Sequence, residues 1–249
     1  MNLSGNTILI TGGATGIGLA MARAFVAASN TVLVSGRRDA KLMEAKVAIP
    51  ELLTKVSDIS DASERTSLAD WARSEGVNIL INNAGIQREI DLKRGIPALD
   101  EGDNEFRINF EGAVYLTAGL MPHLLKQQNA AICNVSSGLG FIPIASMPIY
   151  CATKAAIHSY TISLRHQLQP TGIKVFEIIP PTVDTELDRG ARARRGQTDR
   201  GIPAMDVAEA AIKGMSEDKM EIAVGMAANL MSAPKDVADQ IFRRMNGVR

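Results

Sequence analysis

Short apolar runs recur along the chain, separated by stretches in which apolar positions return every three or four residues. The runs lie at residues 7–11, 31–35, 52–56, 78–81, 130–135 and 174–179. Continuous apolar runs of this length suit strands covered on both faces, as in a parallel sheet. The stretches between them predict helices over residues 17–28, 39–48, 60–74, 104–127 and 148–169. Pro148 opens the last of these, since proline is tolerated in a first turn and no other proline follows before Pro170. Strict alternation of strand and helix predicts an α/β fold: a doubly wound parallel sheet with helices on both faces. Residues 182–203 carry no clear period. A helix over 205–215, a last strand over 220–224 and a terminal helix over 234–245 follow.

Composition narrows the picture. With 249 residues, 46% apolar and 22% charged, a single domain with a substantial core is expected, and disorder is not. Formal charge is zero and aromatic residues make up 4%, which argues against a nucleic-acid module with a basic face and stacking rings. No apolar run approaches the ~20 residues of a membrane span, so no membrane partner is expected. The first residues lack a basic stretch followed by an apolar one, and Cys133 and Cys151 are the only cysteines. Both features favour a reducing cytoplasm without a disulfide framework. His123, His158 and His166 form no ligand spacing with the cysteines, so no metal site is expected.

Two constellations carry candidate chemistry. Directly after the first strand comes Thr11-Gly12-Gly13-Ala14-Thr15-Gly16-Ile17-Gly18. Strand, glycine turn and helix in that order let backbone N–H groups and the positive helix end approach a phosphate. After the second strand stands Ser35-Gly36-Arg37-Arg38, where an acidic residue would suit NAD. Arginine instead presents a fork suited to a 2′-phosphate, so NADP is favoured over NAD. Farther on, Tyr150 and Lys154 are i,i+4 neighbours on one helix face, and Ser137 follows the fifth apolar run. An ammonium near a phenol favours the phenolate and should lower its pKa, tuning an acid/base group for an alcohol oxygen.

Together these residues resemble the short-chain dehydrogenase/reductase family, in its compact branch, over about residues 6–185. The resemblance also includes Asp58-Ile59, Asn82-Asn83-Ala84-Gly85, Asn109 and Asn134-Val135-Ser136-Ser137, in the family's order and spacing. It implies a Rossmann-type fold and an oxidoreductase that interconverts a secondary alcohol and a ketone or aldehyde. By that resemblance Tyr150 would be the catalytic acid/base, and Lys154 would lower its pKa and hold the nicotinamide ribose. Ser137, rather than Ser136, would bind the substrate oxygen, and Asn109 would support a relay water. Gly12, Thr15, Gly16, Ile17 and Gly18 would hold the pyrophosphate, with Ser35, Arg37 and Arg38 at the adenosine end. Asp58 would face the adenine amine and Ile59 the ring, while Asn83, Ala84 and Gly85 would line the ribose region. Pro180, Val183 and Thr185 would meet the nicotinamide end.

The chain departs from the family where Pro-Gly usually follows the sixth strand: here the residues are Pro180-Pro181. It also carries a further helix in place of a short tail. The helices over 104–127 and 148–169 resemble those that build the family's dimer interface, which implies a homodimer or homotetramer, with the altered tail favouring the dimer. The family's substrate lid maps to about residues 182–204, where Arg189, Arg192, Arg194, Arg195 and Arg200 crowd together. Those arginines are expected to offer a positive face to phosphates or to an acidic substrate. Met205, Met215, Met220, Met226 and Met231 are expected to pack the core, with a flexible wall over the substrate as the minor reading. The functional alternative is a catalytically silent dinucleotide-binding sensor of the same fold, which would not need all four of Asn109, Ser137, Tyr150 and Lys154.

Overall fold

A computed structural model describes residues 1–188, 190, 196 and 200–247. Its strands are β1 (Thr7–Thr11), β2 (Thr31–Gly36), β3 (Leu53–Val56), β4 (Ile79–Asn82), β5 (Ala131–Val135), β6 (Lys174–Ile179) and β7 (Glu221–Ala223). They form one parallel sheet in the order β3-β2-β1-β4-β5-β6-β7. The order reverses between β1 and β4, and such a switch point opens a crevice beyond the strands' C-terminal ends.

Helices cover both faces. They are α1 (Gly16–Ala27), α2 (Asp39–Ala48), α3 (Ala62–Ser74), α4 (Ile96–Asp100), α5 (Gly112–Leu124), α6 (Pro148–Leu168), α7 (Ala204–Ser216), α8 (Met226–Ser232) and α9 (Lys235–Met245). Because side chains alternate along a strand, β1 sends Ile8 and Ile10 to one face and Leu9 to the other. Ile8 and Ile10 join Met21, Phe25, Phe176 and Met215 in a core that takes in α1 and α7. Leu9 joins Leu68, Leu80, Leu116 and Leu164 in a second core on the face of α3, α5 and α6.

Three departures from the sequence expectation have physical causes. The helix expected over 104–127 winds as a π turn at Arg107–Glu111 before α5 begins. Asn109 in that turn reaches out to Ile86, accepting from its N–H at 2.8 Å and donating to its carbonyl at 2.9 Å. The turn accommodates a tertiary tie that local periodicity does not encode. The second departure is α8, seven residues long and therefore too short to show a period. It packs on the turn after Ser137, where a Cβ on Gly138 would lie 2.9 Å from Leu230 Cδ1. Third, the stretch without period is pinned by a bridge between Val183 and Ile202 and contains a 3-10 turn at Glu186–Asp188. Of the methionines, Met215 is fully buried and Met226 is exposed.

Candidate active site

The glycine turn is shaped by contacts that exclude a side chain. A Cβ on Gly18 would stand 2.4 Å from the Gly12 carbonyl oxygen, so only glycine lets α1 start so close to β1. Gly16 has φ +54°, in the left-handed region, with Thr185 packed over it. Thr15 precedes α1 but its side chain caps no N–H of the helix. Asn83 braces the turn from β4, donating to the carbonyls of Thr11 at 2.9 Å and Gly12 at 3.2 Å. That amide is therefore spent on the protein backbone.

A cavity of about 630 Å3 runs from this turn to the start of α6. Of the residues expected at the site, Gly12, Thr15, Gly16, Ile17, Ser35, Arg37, Arg38, Ile59, Asn83, Ala84, Gly85, Tyr150, Lys154, Pro180 and Thr185 line it. Gly18 lies behind the turn. Asp58 accepts from Ser60 and stands 3.7 Å from Arg37. Val183 is drawn into its bridge with Ile202 and packs on the core. Arg189, Arg192, Arg194 and Arg195 fall outside the described residues, while Arg200 pairs with Asp184 at 3.3 Å.

At the far end of the cavity, Tyr150 and Lys154 share one face of α6. Lys154 Nζ donates to the Val135 carbonyl at 2.8 Å and sits 5.7 Å from the centre of the Tyr150 ring. Asn109 is close by: a Cβ on Gly85 would be 3.3 Å from its Oδ1 and 3.7 Å from Lys154 Nζ. Asn109 also donates to Thr153 Oγ1 at 3.0 Å, which fixes its amide against α6. The Ser137 hydroxyl accepts from the Leu139 N–H at 3.1 Å. Ser136 lines the cavity, yet its hydroxyl finds no partner among the described residues. Asn109, Ser137, Tyr150 and Lys154 are thus neighbours in space, brought together by the π turn, the end of β5 and α6.

The electrostatics differ from the sequence expectation. Burial pushes the Tyr150 hydroxyl above the ordinary phenol value; Ser137 opposes this, and the charges of Cys151 and Glu105 add to it. Lys154 does not produce the expected lowering. Its own ammonium is penalised by burial and falls to about 8, with Glu177 acting in the opposite sense. Desolvation is the largest cause for both groups, because each is taken out of water.

Two acids near the site carry no motif. Glu105 is 1% exposed; its Oε1 accepts from the Arg88 N–H at 3.0 Å and its Oε2 has no partner among the described residues. Burial lifts it to about 7, against the lowering effects of the Arg88 N–H and charge. Glu177, on β6, faces His158 of α6 at 2.9 Å. The one legible sign of Glu177 was a charged residue between Phe176 and Ile178 in a largely apolar run. Glu105 gave no such sign.

A model of short chain dehydrogenases matches residues 6–196. Over 248 residues the chain is 44% identical to DltE of Bacillus subtilis (strain 168), an uncharacterized oxidoreductase, covering 99% of this chain and 98% of the relative. Among solved structures, a short chain dehydrogenase/reductase from Burkholderia phymatum in complex with NAD superimposes with a TM-score of 0.83 at 23% identity, covering 96% of each chain. A short chain dehydrogenase from Burkholderia cenocepacia J2315 in complex with NADP gives 0.81 at 23% identity, covering 97% of this chain and 99% of the other. At that identity the two structures speak for the fold, and the fold accommodates either dinucleotide.

The state of Glu105 generates a stability test. The folded chain holds the Glu105 proton up to about pH 7, whereas an unperturbed carboxyl releases it near 4.5. Its contribution is therefore present below 4.5 and lost as pH rises through 7. Glu105→Gln cannot ionise, so its stability relative to the unsubstituted protein should climb between pH 4.5 and 7.5 and then level off. Urea unfolding across that range measures the difference; one that does not vary with pH would contradict the assignment.

Proposed function

Because the chain belongs to the short-chain dehydrogenase family, we propose that it is an NADP-preferring oxidoreductase interconverting a secondary alcohol and a ketone or aldehyde. The observation that carries this reading is the convergence of Tyr150 and Lys154 on the cavity that begins at the glycine turn. A dinucleotide fits the residues present. The turn keeps Gly16 and Gly18 free of side chains, and the N–H groups opening α1 are not capped by Thr15. An anion is favoured at such a helix start. Gly12, Thr15, Gly16 and Ile17 would hold the pyrophosphate, and Gly18 would keep α1 close to the turn.

At the adenosine end, Ser35, Arg37 and Arg38 line the cavity. Arg37 donates to Asp103 at 2.9 Å, and Arg38 to Glu186 at 3.1 Å and Thr15 at 3.4 Å. Two guanidinium groups at this rim support a 2′-phosphate and hence NADP. Ile59, Ala84 and Gly85 would flank the adenosine, with Asp58 and Asn83 bracing the wall from behind. Pro180 and Thr185 would border the nicotinamide end. Thr185, Glu186 and Leu187 line the cavity as well, which supports a lid beginning near residue 182.

A dinucleotide bound along these residues would supply the hydride in reduction and take it up in oxidation. Tyr150 gives its proton to the substrate oxygen in reduction and accepts one in oxidation. Ser137, held by the Leu139 N–H, keeps its own proton to donate to that oxygen. Lys154 places a positive charge beside the phenol, and closure of the site around it strengthens that attraction. Asn109 fixes the π turn and the Ile86 backbone, giving Lys154 a rigid wall. The full set of four supports a working enzyme over a silent sensor.

Two measurements test this reading. Tyr150→Phe should lower turnover of a ketone panel with NADPH by about 10²- to 10⁴-fold, the usual worth of a positioned acid/base group. NADPH binding, followed by fluorescence, should stay nearly intact; unchanged turnover would remove Tyr150 from the chemistry. Arg37→Asp should move the ratio of kcat/KM for NADPH over NADH towards NADH. An unmoved ratio would sink the NADP assignment.

A further inference from the structure

At the adenosine end of the cavity every cation is already answered by the protein. Among the described residues, Arg37, Arg38 and Lys41 are the basic side chains that line it there. Arg37 Nη2 donates to Asp103 at 2.9 Å, and its Nη1 lies 3.7 Å from Asp58. Arg38 donates to Glu186 at 3.1 Å, and Lys41 donates to Glu44 at 2.7 Å. Three cations thus share four carboxylates at the rim where a 2′-phosphate would have to sit.

Asp103 differs from the other acids in how it is held. Its pair with Arg37 is the more sheltered, with side chains 36% and 40% exposed against 58% and 60% for Arg38 and Glu186. Asp58 is engaged within its own turn, its Oδ1 accepting from the Ser60 N–H at 2.8 Å and the Ser60 hydroxyl at 2.7 Å. Asp103 comes from the segment between α4 and the π turn, and its backbone is braced there. Arg88 donates to the Asp103 carbonyl at 3.1 Å and to the Ala98 carbonyl at 3.1 Å, while the Arg88 N–H is held by Glu105 at 3.0 Å. The carboxylate is therefore presented to Arg37 from a fixed base.

A phosphate takes a guanidinium by its planar fork, through two N–H groups at once. One arm of the Arg37 fork is bound to Asp103, and the other is 3.7 Å from Asp58. A 2′-phosphate must take an arm from Asp103 and then lie beside a like charge. A 2′-hydroxyl exchanges no ion pair and meets no such repulsion. We propose that Asp103 is a specificity-determining residue for the dinucleotide: its carboxylate competes with the 2′-phosphate for Arg37 and holds the preference for NADP below what the two arginines alone would give. The inference rests on the NADP reading, and Asp103 belongs to none of the motifs that carried that reading.

The test is calorimetric titration of 2′,5′-ADP and of 5′-AMP, fragments that differ in the 2′-phosphate and need no turnover. In Asp103→Asn the Kd for 2′,5′-ADP should fall about three- to tenfold, the scale of one exposed ion pair and one nearby like charge, while that for 5′-AMP stays within about twofold. The gain should shrink between about 0.05 and about 0.5 M NaCl, because salt screens exposed charges. Glu101→Gln removes an acid of the same segment that pairs with Arg94, and should leave both affinities in place. Arg37→Ala separates the two claims. If it leaves 2′,5′-ADP binding unchanged, Arg37 does not read the 2′-phosphate, and the NADP reading falls together with this inference. If it weakens that binding while Asp103→Asn leaves it unchanged or weakens it too, the competition alone is overturned and the NADP reading stands.

Discussion

A lysine ammonium buried between a helix and the end of a strand organises this molecule. Lys154 donates to the Val135 carbonyl at 2.8 Å, a bond that pins the first turns of α6 to the C-terminal end of β5. Holding a cation there is unfavourable unless neighbours answer its charge and its remaining donors. The same placement sets the cation one helical turn from Tyr150, with its Nζ 5.7 Å from the ring centre. Tyr150, Ser137 and Asn109 are positioned by reference to this anchor. Tyr150 precedes it by one turn, Ser137 stands two residues past the end of β5, and Asn109 meets Thr153, the residue before the lysine.

The other end of the cavity is built on the opposite principle, the removal of side chains. Gly18 lets α1 approach the Gly12 carbonyl, and Gly16 takes a left-handed conformation beneath Thr185. Asn83 then ties β4 to the turn through two carbonyls. The parallel sheet aligns both ends: β1 delivers the glycines and β5 delivers Ser136 and Ser137 on the same rim, with β4 between them. One end is thereby suited to an extended anion and the other to proton transfer, about a single continuous cavity.

Much of this was legible in the chain, for reasons that particular residues make plain. Strands such as residues 7–11 and 174–179 show themselves because burial on both faces leaves few polar positions. The paired Tyr150 and Lys154 are visible because a helix fixes their spacing. What stayed hidden depends on tertiary contacts. The π turn exists because Asn109 reaches Ile86, twenty-three residues earlier. Val183 is taken by Ile202, across a stretch with no period of its own. The sign of the Tyr150 shift was misjudged because pairwise attraction is readable from spacing and desolvation is not. Glu105 carries no motif, and only the fold buries it.

The central claim is that the glycine turn and the Tyr150–Lys154 pair serve one bound molecule. A crystal structure of the protein grown with NADP+ examines it most directly. The account predicts density for the pyrophosphate on the turn at Gly12–Ile17 and for the nicotinamide beside Tyr150, with Lys154 within hydrogen-bond distance of the adjoining ribose. Density for the dinucleotide elsewhere, or a nicotinamide ring remote from Tyr150 with the pyrophosphate in place, would contradict it.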